Sequence, residues 1–239
     1  MTTTLPAPAG TLNPTDPEAG HEAGRVYRPQ CDSRLLVAAM KRTGLIPGRR
    51  VLDLCTGSGF VAIAAAGMGC ASVTAFDICP HAVRCSRGNA AGAGVAVDVR
   101  EGSWTRALDL APFDVVVTNP PYVPTPPRAG PEAIPAAAGP SWAWNGGADG
   151  RSILDPLCRA APELLGERGS MLMVQSGFAD AGRSLDILRS AGMDAEIVAS
   201  ERIPFGPVLA ARAAWLEGAG RIPRGCREEE LVVIRADKR

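Results

Sequence analysis

The sequence predicts an α/β fold: a seven-stranded, mostly parallel sheet with helices on both faces. Three observations predict it. Short apolar runs of strand length alternate with stretches of helical periodicity along most of the chain. The 239 residues, 46% hydrophobic and 21% charged, are enough for one domain with a full core. Charged or amide side chains stand at the ends of three predicted strands, where open parallel sheets bind ligands.

The elements follow in a regular order. Residues 1–24 are rich in Thr, Pro, Ala and Gly, and we expect a disordered tail before a single domain, 25–239. Asp32 and Ser33 suit the cap of a first helix over residues 34–43. The predicted strands are residues 50–54, 72–76, 95–100, 113–118, 170–175, 195–200 and 230–235. Helices are expected between them at residues 58–68, 80–91, 150–165 and 180–191.

Two long segments interrupt this alternation. Residues 124–145, rich in Pro, Ala and Gly, are too long for a simple connection and are a candidate lid. Residues 204–229 are expected to be irregular. Because this second segment shows no clear crossover helix, we expect one of the last two strands to run antiparallel.

Composition excludes several classes of function. The 25 basic and 25 acidic residues balance, which disfavours a surface built for nucleic-acid phosphates. The seven cysteines form no C-x-x-C pair and the two histidines no ligand pattern, so we expect reduced thiols and no metal site. Neither a membrane-length apolar run nor a signal peptide is found, and we expect a cytoplasmic protein.

The tetrapeptide Asn119-Pro120-Pro121-Tyr122 directly follows the predicted strand 113–118. Its prolines stiffen the backbone and leave carbonyl groups free to accept hydrogen bonds. The Asn119 side chain adds an acceptor and a donor, and Tyr122 adds a flat surface. This set suits a planar nitrogen that carries hydrogens, either a carboxamide or an exocyclic base amine. The alternative is a rigid loop exit without a ligand.

A second motif, residues 53–59, links the first strand to a helix. Gly57 and Gly59 permit a tight turn, and the helix N-terminus offers free N–H groups. Because one glycine of the dinucleotide fingerprint is missing, a nucleoside is favoured over a pyrophosphate. Asp77, at the end of the second strand, lies at the spacing of an acid that binds ribose hydroxyls. The alternatives are a turn without a ligand and, for Asp77, a helix cap.

Together these motifs resemble the class I S-adenosylmethionine-dependent methyltransferases, and more closely the HemK/PrmC group, which methylates a glutamine side-chain amide in translation release factors. The resemblance extends from Val26 to the C-terminus and includes residues 145–150, similar to a Gly-Gly-x-Asp-Gly segment of that group. It implies a Rossmann-like methyltransferase fold, with one antiparallel strand near the C-terminus, and S-adenosylmethionine as cofactor. The implied catalytic residues are Asn119, Pro120, Pro121 and Tyr122. The implied cofactor-binding residues are Asp53, Thr56, Gly57, Gly59, Asp77, Ile78, Ser103, Trp104 and Asn119.

Two details refine the resemblance. Residues 26–33 are similar to the short lead-in of the compact archaeal and eukaryotic-type branch, which can work with a small activating partner at a sheet edge; strand 95–100 is a candidate edge. Where the family often has Gly-Asp after the third strand, this chain has Gly102-Ser103-Trp104. Ser103 can hydrogen-bond adenine and Trp104 can flank its ring, or Trp104 simply covers the edge of the sheet.

The tetrapeptide predicts nitrogen chemistry without naming one acceptor. We expect the acceptor's two N–H groups to donate to the Asn119 side-chain oxygen and the Pro120 carbonyl, with Tyr122 against the plane. A protein glutamine amide is the first hypothesis. A nucleic-acid amine (adenine N6 or guanine N2) and a small-molecule amine are the second and third. A non-catalytic scaffold is the fourth.

Overall fold

A computed structural model describes residues 26–127 and 133–239. The tail predicted at residues 1–24 lies outside the described residues. Seven strands form one sheet in the order β3-β2-β1-β4-β5-β7-β6. Their bounds are β1 Arg50–Leu54, β2 Ser72–Asp77, β3 Asp98–Glu101, β4 Phe113–Thr118, β5 Leu165–Ser176, β6 Met193–Pro204 and β7 Glu228–Lys238. Among these strands β7 alone runs in the direction opposite to the other six, so the predicted fold class is confirmed.

Helices flank the sheet. Their bounds are α1 Cys31–Thr43, α2 Phe60–Gly67, α3 Pro80–Gly92, α4 Trp104–Ala107, α5 Leu154–Leu164, α6 Ala181–Ser190 and α7 Pro207–Gly218. The first three pack side by side, α1 on α2 and α2 on α3, while α5 and α6 form a second pair. The core between sheet and helices consists mainly of Val, Leu, Ala and Met side chains, and β1 and β4 are nearly fully buried.

The sheet order determines where a ligand can bind. From β1 the chain first adds β2 and β3 on one side, and it then crosses over to add β4 on the other side of β1. At such a switch point, the loops after the strands separate and open a crevice at the carboxyl edge. The motifs that follow β1, β2 and β4 all face this edge.

Several predicted boundaries are wrong, and three of the errors affect the site. α1 begins at Cys31 after the N-cap residue Gln30, so Asp32 and Ser33 lie inside its first turn rather than before it. Residues 204–229, expected to be irregular, contain α7, whose Pro207 occupies the first turn as helices permit. The third strand is Asp98–Glu101, shorter than and shifted from the predicted 95–100, although it does lie at the sheet edge as expected.

Two further observations concern membrane-spanning helices and clusters of possible metal ligands. Within residues 26–127 and 133–239, no helix has the length and apolar character needed to cross a bilayer. Over the same residues, no group of three or more His, Cys, Asp or Glu side chains could hold a metal ion.

Candidate active site

A cleft opens at the carboxyl ends of β1 and β2, with a cavity of about 260 Å³. We call it the β1–β2 cleft. The structure brings most of the predicted site residues to its walls: Asp53, Thr56, Gly57, Asp77, Ile78, Ser103, Trp104, Asn119 and Pro121. Gly59 is not among the lining residues. The segments at the ends of four different strands, β1 to β4, therefore converge on one cavity.

The turn after β1 is shaped by its glycines. Cys55, Gly57 and Gly59 all have positive φ values, of 59°, 55° and 82°. A Cβ on Gly59 would lie 2.4 Å from the Ser86 hydroxyl oxygen, so this glycine allows α2 to approach α3 closely. The role of Gly59 in the structure is therefore packing behind the cleft.

Asp53 is buried at the base of the cleft, only 1% exposed. Its Oδ2 accepts a hydrogen bond of 2.6 Å from the Thr56 hydroxyl. Burial nevertheless raises the pKa of Asp53 to about 7, although the Thr56 hydrogen bond and a backbone hydrogen bond from Ala62 oppose the rise. Among the described residues no cation lowers this pKa, and such a buried carboxylate favours a positively charged ligand.

Asp77 joins the two turns that border the cleft. Its Oδ2 accepts from the Gly57 N–H and its Oδ1 from the Cys79 N–H, both at 2.9 Å. Burial raises the pKa of this carboxyl, and the two backbone hydrogen bonds work against the rise. Because each carboxylate oxygen can accept more than one hydrogen bond, Asp77 retains capacity for ligand hydroxyls. The alternative role of Asp77 as a helix cap is partly observed, because its Oδ1 accepts from the N–H of Cys79, the N-cap residue of α3.

Aromatic and apolar side chains line the outer part of the cleft. Ser103 and Trp104 begin the short helix α4, and the Ser103 hydroxyl hydrogen-bonds that of Thr105. Ile78 is 61% exposed at the cleft, which leaves a large apolar side chain available for a flat ligand. Trp142, from the predicted lid segment, also lines the cavity and is largely exposed.

The Asn119 amide is held by the start of α1. Its Nδ2 donates to the Asp32 Oδ2 at 3.0 Å and to the Ser33 hydroxyl at 3.2 Å. A carboxylate only accepts hydrogen bonds, so Asp32 fixes the nitrogen of Asn119 towards α1. The Asn119 oxygen is thereby kept for an incoming donor. This contact between residues far apart in the sequence is the most informative in the site.

Asp32 holds two tyrosines as well. Its Oδ2 accepts from the Tyr27 hydroxyl at 2.9 Å and from the Tyr122 hydroxyl at 3.1 Å. Burial, followed by the negative charge of Asp32, raises the pKa of both tyrosine hydroxyls above the ordinary range, so both remain donors. No acidic residue is next to the tetrapeptide in the sequence, and Asp32 was expected to be a helix cap. The fold instead places this carboxylate at the centre of the site.

A second cavity of about 70 Å³ lies on the other side of the tetrapeptide. We call it the tetrapeptide pocket. It shares Asn119 and Pro121 with the β1–β2 cleft, so the two cavities meet at the tetrapeptide. Its further walls come from distant parts of the chain: Asp32, Pro120, Tyr122, Val208, Leu209 and Glu229.

Residues 145–150 support the tetrapeptide from behind. Asn145 forms an isolated parallel bridge with Val123, and the Gly146 N–H donates to the Val123 carbonyl at 2.9 Å. A Cβ on Gly150 would lie 2.3 Å from the Tyr122 carbonyl oxygen. Only glycine permits this approach, which explains the glycine at this position of the segment.

Arg212 of α7 ties the wall of the tetrapeptide pocket to this support. It is buried and donates to the Pro124 carbonyl at 2.9 Å and to the Asn145 Oδ1 at 2.8 Å. Its guanidinium also lies 4.6 Å from the centre of the Trp144 ring. Sequence reasoning missed Arg212 because α7 itself was not expected.

The family model and the relatives that match this chain are methyltransferases. Residues 28–128 match the family "Methyltransferase small domain". A protein of Methanocaldococcus jannaschii assigned as a protein N5-glutamine methyltransferase is 31% identical over 188 residues, 79% of this chain and 91% of that protein. The release factor glutamine methyltransferase of Deinococcus radiodurans is 36% identical over 72% of this chain. The alignment spans 61% of that longer bacterial protein.

Solved structures show the same fold. The Mtq2–Trm112 complex of E. cuniculi, described as responsible for methylating the translation termination factor eRF1, contains a chain that superimposes with a TM-score of 0.59. The match covers 90% of this chain and 99% of that one at 21% sequence identity. At this identity the similarity establishes the fold.

Proposed function

Because the chain belongs to the S-adenosylmethionine-dependent protein N5-glutamine methyltransferases, we propose that it methylates a glutamine side-chain amide in a translation release factor. The observation that carries the proposal is the Asn119 amide, held by Asp32 where the β1–β2 cleft and the tetrapeptide pocket meet. Such a substrate implies that the protein works in the cytoplasm.

The β1–β2 cleft fits the methyl donor. S-adenosylmethionine is the cofactor of this family, and its cationic sulfonium supplies an activated methyl group. We propose that Asp77 accepts hydrogen bonds from the ribose hydroxyls and that the Asp53 carboxylate balances ligand positive charge. Thr56 and Gly57 hold the turn between these two acids. We also propose that Ile78, Ser103 and Trp104, which line the cleft, border the adenine.

The tetrapeptide orients the nitrogen that accepts the methyl group. An amide nitrogen is a poor nucleophile, so the site must hold it in line and exclude water. One acceptor N–H donates to the Asn119 oxygen and the other to the Pro120 carbonyl, and both bonds strengthen as positive charge develops on the nitrogen. The methylated amide nitrogen, which still carries both protons, is strongly acidic. It needs no tuned base and passes one proton to water as the product leaves the site.

Asp32 acts through Asn119 and Tyr122 rather than on the substrate nitrogen. By accepting from the Asn119 Nδ2, it keeps the amide oxygen turned towards the acceptor. By accepting from the Tyr122 hydroxyl, it fixes the ring that packs against the acceptor amide. We therefore propose Asp32 as a positioning residue.

A labelling experiment tests the proposal. The protein is incubated with S-adenosylmethionine carrying a labelled methyl group and, separately, with release factor, total tRNA and rRNA, DNA, or cell extract. We expect label in the release factor, lost when its loop glutamine is replaced. Label in nucleic acid alone, or only in small molecules of the extract, would contradict the proposal.

We further propose that the edge strand β3 can bind a small activating subunit, because the eukaryotic structural relative is a complex. Val99 points into the core, while Asp98, Arg100 and Glu101 leave the outer edge polar. Turnover of release factor by the purified chain alone, unchanged by any added partner, would contradict this part of the proposal.

A further inference from the structure

Glu229 is a buried acid that the proposed chemistry does not use. It lies near the start of β7, opposite Ile203 of β6, and is only 7% exposed. Its Oε2 is buried without any hydrogen-bond partner among the described residues. Since leaving a buried carboxylate oxygen unpaired is costly, Oε2 calls for a donor that the described residues do not supply.

Within residues 26–127 and 133–239, no basic side chain lowers the pKa of Glu229. The groups that face it are Asp32 of α1, the Tyr27 and Tyr122 hydroxyls and the Ser176 hydroxyl of β5. Both tyrosine hydroxyls already donate to Asp32. Burial, opposed by the Ser176 hydrogen bond, raises the pKa of Glu229 to about 7, so the side chain is substantially ionised at pH 8.

The tetrapeptide pocket is where such a donor would enter. Glu229 lines it together with Asp32 and Tyr122, and the facing side chains of α7, Val208 and Leu209, are apolar. A buried peptide N–H in this pocket therefore finds few acceptors besides Glu229. The two N–H groups of the acceptor amide are already assigned to Asn119 and Pro120, which leaves the backbone N–H groups of the substrate as donors.

We propose that Glu229 is a positioning residue for the acceptor: its Oε2 accepts a hydrogen bond from a backbone N–H next to the target glutamine. This inference rests on the proposed function, because it assumes a peptide in the tetrapeptide pocket. It also predicts that the tetrapeptide pocket prefers a peptide to a nucleic-acid base. Adenine, once its amino group is held, has no second neutral donor for Glu229, and two buried acids repel phosphates.

Two variants and a matched control test the role of Glu229. Glu229→Met removes the acceptor at similar length, and Glu229→Gln keeps one neutral acceptor oxygen. Glu230→Met changes the neighbouring acid, which is exposed. KM and kcat for the release factor, the Kd for S-adenosylmethionine and the Tm are measured at pH 8.

We expect Glu229→Met to raise the KM for the release factor about tenfold or more, the effect of losing a hydrogen bond to a charged group. Glu229→Gln should raise it less and Glu230→Met should leave it unchanged. The kcat and cofactor Kd should stay within about twofold of wild type, and the Tm should not fall, because an uncompensated buried charge is removed.

Each other outcome overturns the inference in a recognisable way. An unchanged KM in Glu229→Met with an active wild type would show that Glu229 does not contact the acceptor. A lowered Tm with a proportional loss of kcat would indicate a structural role. A wild-type protein that leaves the release factor unlabelled would remove the proposed function, and this inference with it.

Discussion

The two cavities that meet at Asn119 are built in different ways. The β1–β2 cleft is formed by short contiguous motifs, residues 53–59 and 77–78, at the ends of neighbouring strands. The tetrapeptide pocket combines α1, the tetrapeptide, α7 and the start of β7, which are far apart in the sequence. Under the proposed function, the methyl-donor site is built from local motifs, whereas the acceptor site depends on tertiary packing.

This difference determined what the sequence could predict. Parallel strands align their carboxyl ends, so knowing three strands was enough to bring Asp53, Asp77 and Asn119 to one edge. The Asp32–Asn119 contact spans 87 positions and depends on where α1 docks, which no local pattern encodes. The start of α1 was predicted wrongly because Asp32 and Ser33 are residue types that favour helix caps. In the structure their side chains instead contact the Asn119 amide.

The fold shows the same contrast. β4 was predicted at its exact bounds, Phe113–Thr118, because a buried apolar run ends sharply at the tetrapeptide. α7 was missed because its surroundings are rich in Gly, Pro and Arg, and its twelve residues, four of them Ala, lack a marked polar face. As a result Arg212 and Glu229, which both belong to the segment after residue 204, were absent from the predicted site.

The largest expected effect separates the two cavities at Asn119. Asn119→Ala removes the oxygen that holds the acceptor nitrogen, and we expect kcat to fall by at least about 10²–10³-fold. The Kd for S-adenosylmethionine should stay within about threefold of wild type, since Asn119 contributes only one wall of the β1–β2 cleft. A transfer assay together with calorimetry checks both. Full activity of the variant would contradict the proposed mechanism.

The next effect concerns the positioning residue of the tetrapeptide pocket. Asp32→Asn weakens the acceptor that orients Asn119 and introduces a competing donor, so we expect kcat to fall about 10–100-fold. Ser33→Ala is the matched control, because its hydroxyl makes the longer contact of 3.2 Å with the same nitrogen. Its kcat should fall less than about threefold. Equal falls in kcat in the two variants would show that Asp32 has no larger role than Ser33.

On the donor side, Asp77→Ala should weaken S-adenosylmethionine binding about 10–100-fold while kcat at saturating cofactor falls far less. The reason is that Asp77 both faces the β1–β2 cleft and holds the Gly57 and Cys79 N–H groups. Calorimetry gives the Kd and a saturation series gives kcat. Should the Kd match that of the wild type, Asp77 is not part of the cofactor site.

The smallest expected effect is a pH dependence of cofactor affinity. The pKa of Asp53 is raised to about 7, so protonation at lower pH removes the charge that favours a cationic ligand. Affinity should therefore rise with pH and be about tenfold higher at pH 8 than at pH 6. Titration of the ligand itself contributes equally to the profiles of both proteins. Asp53→Asn should therefore remove only the pH dependence that remains after this contribution is subtracted. An identical profile in both proteins would exclude Asp53 as its cause.

The most direct test of the central claim locates the transferred methyl group by tandem mass spectrometry. Release factor is treated with S-adenosylmethionine and either the wild-type protein or Asn119→Ala, and its peptides are fragmented. We predict one added methyl group on the side-chain nitrogen of a loop glutamine with the wild type, and none with the variant. A methyl group on any other residue, or an equal yield with Asn119→Ala, would contradict the claim.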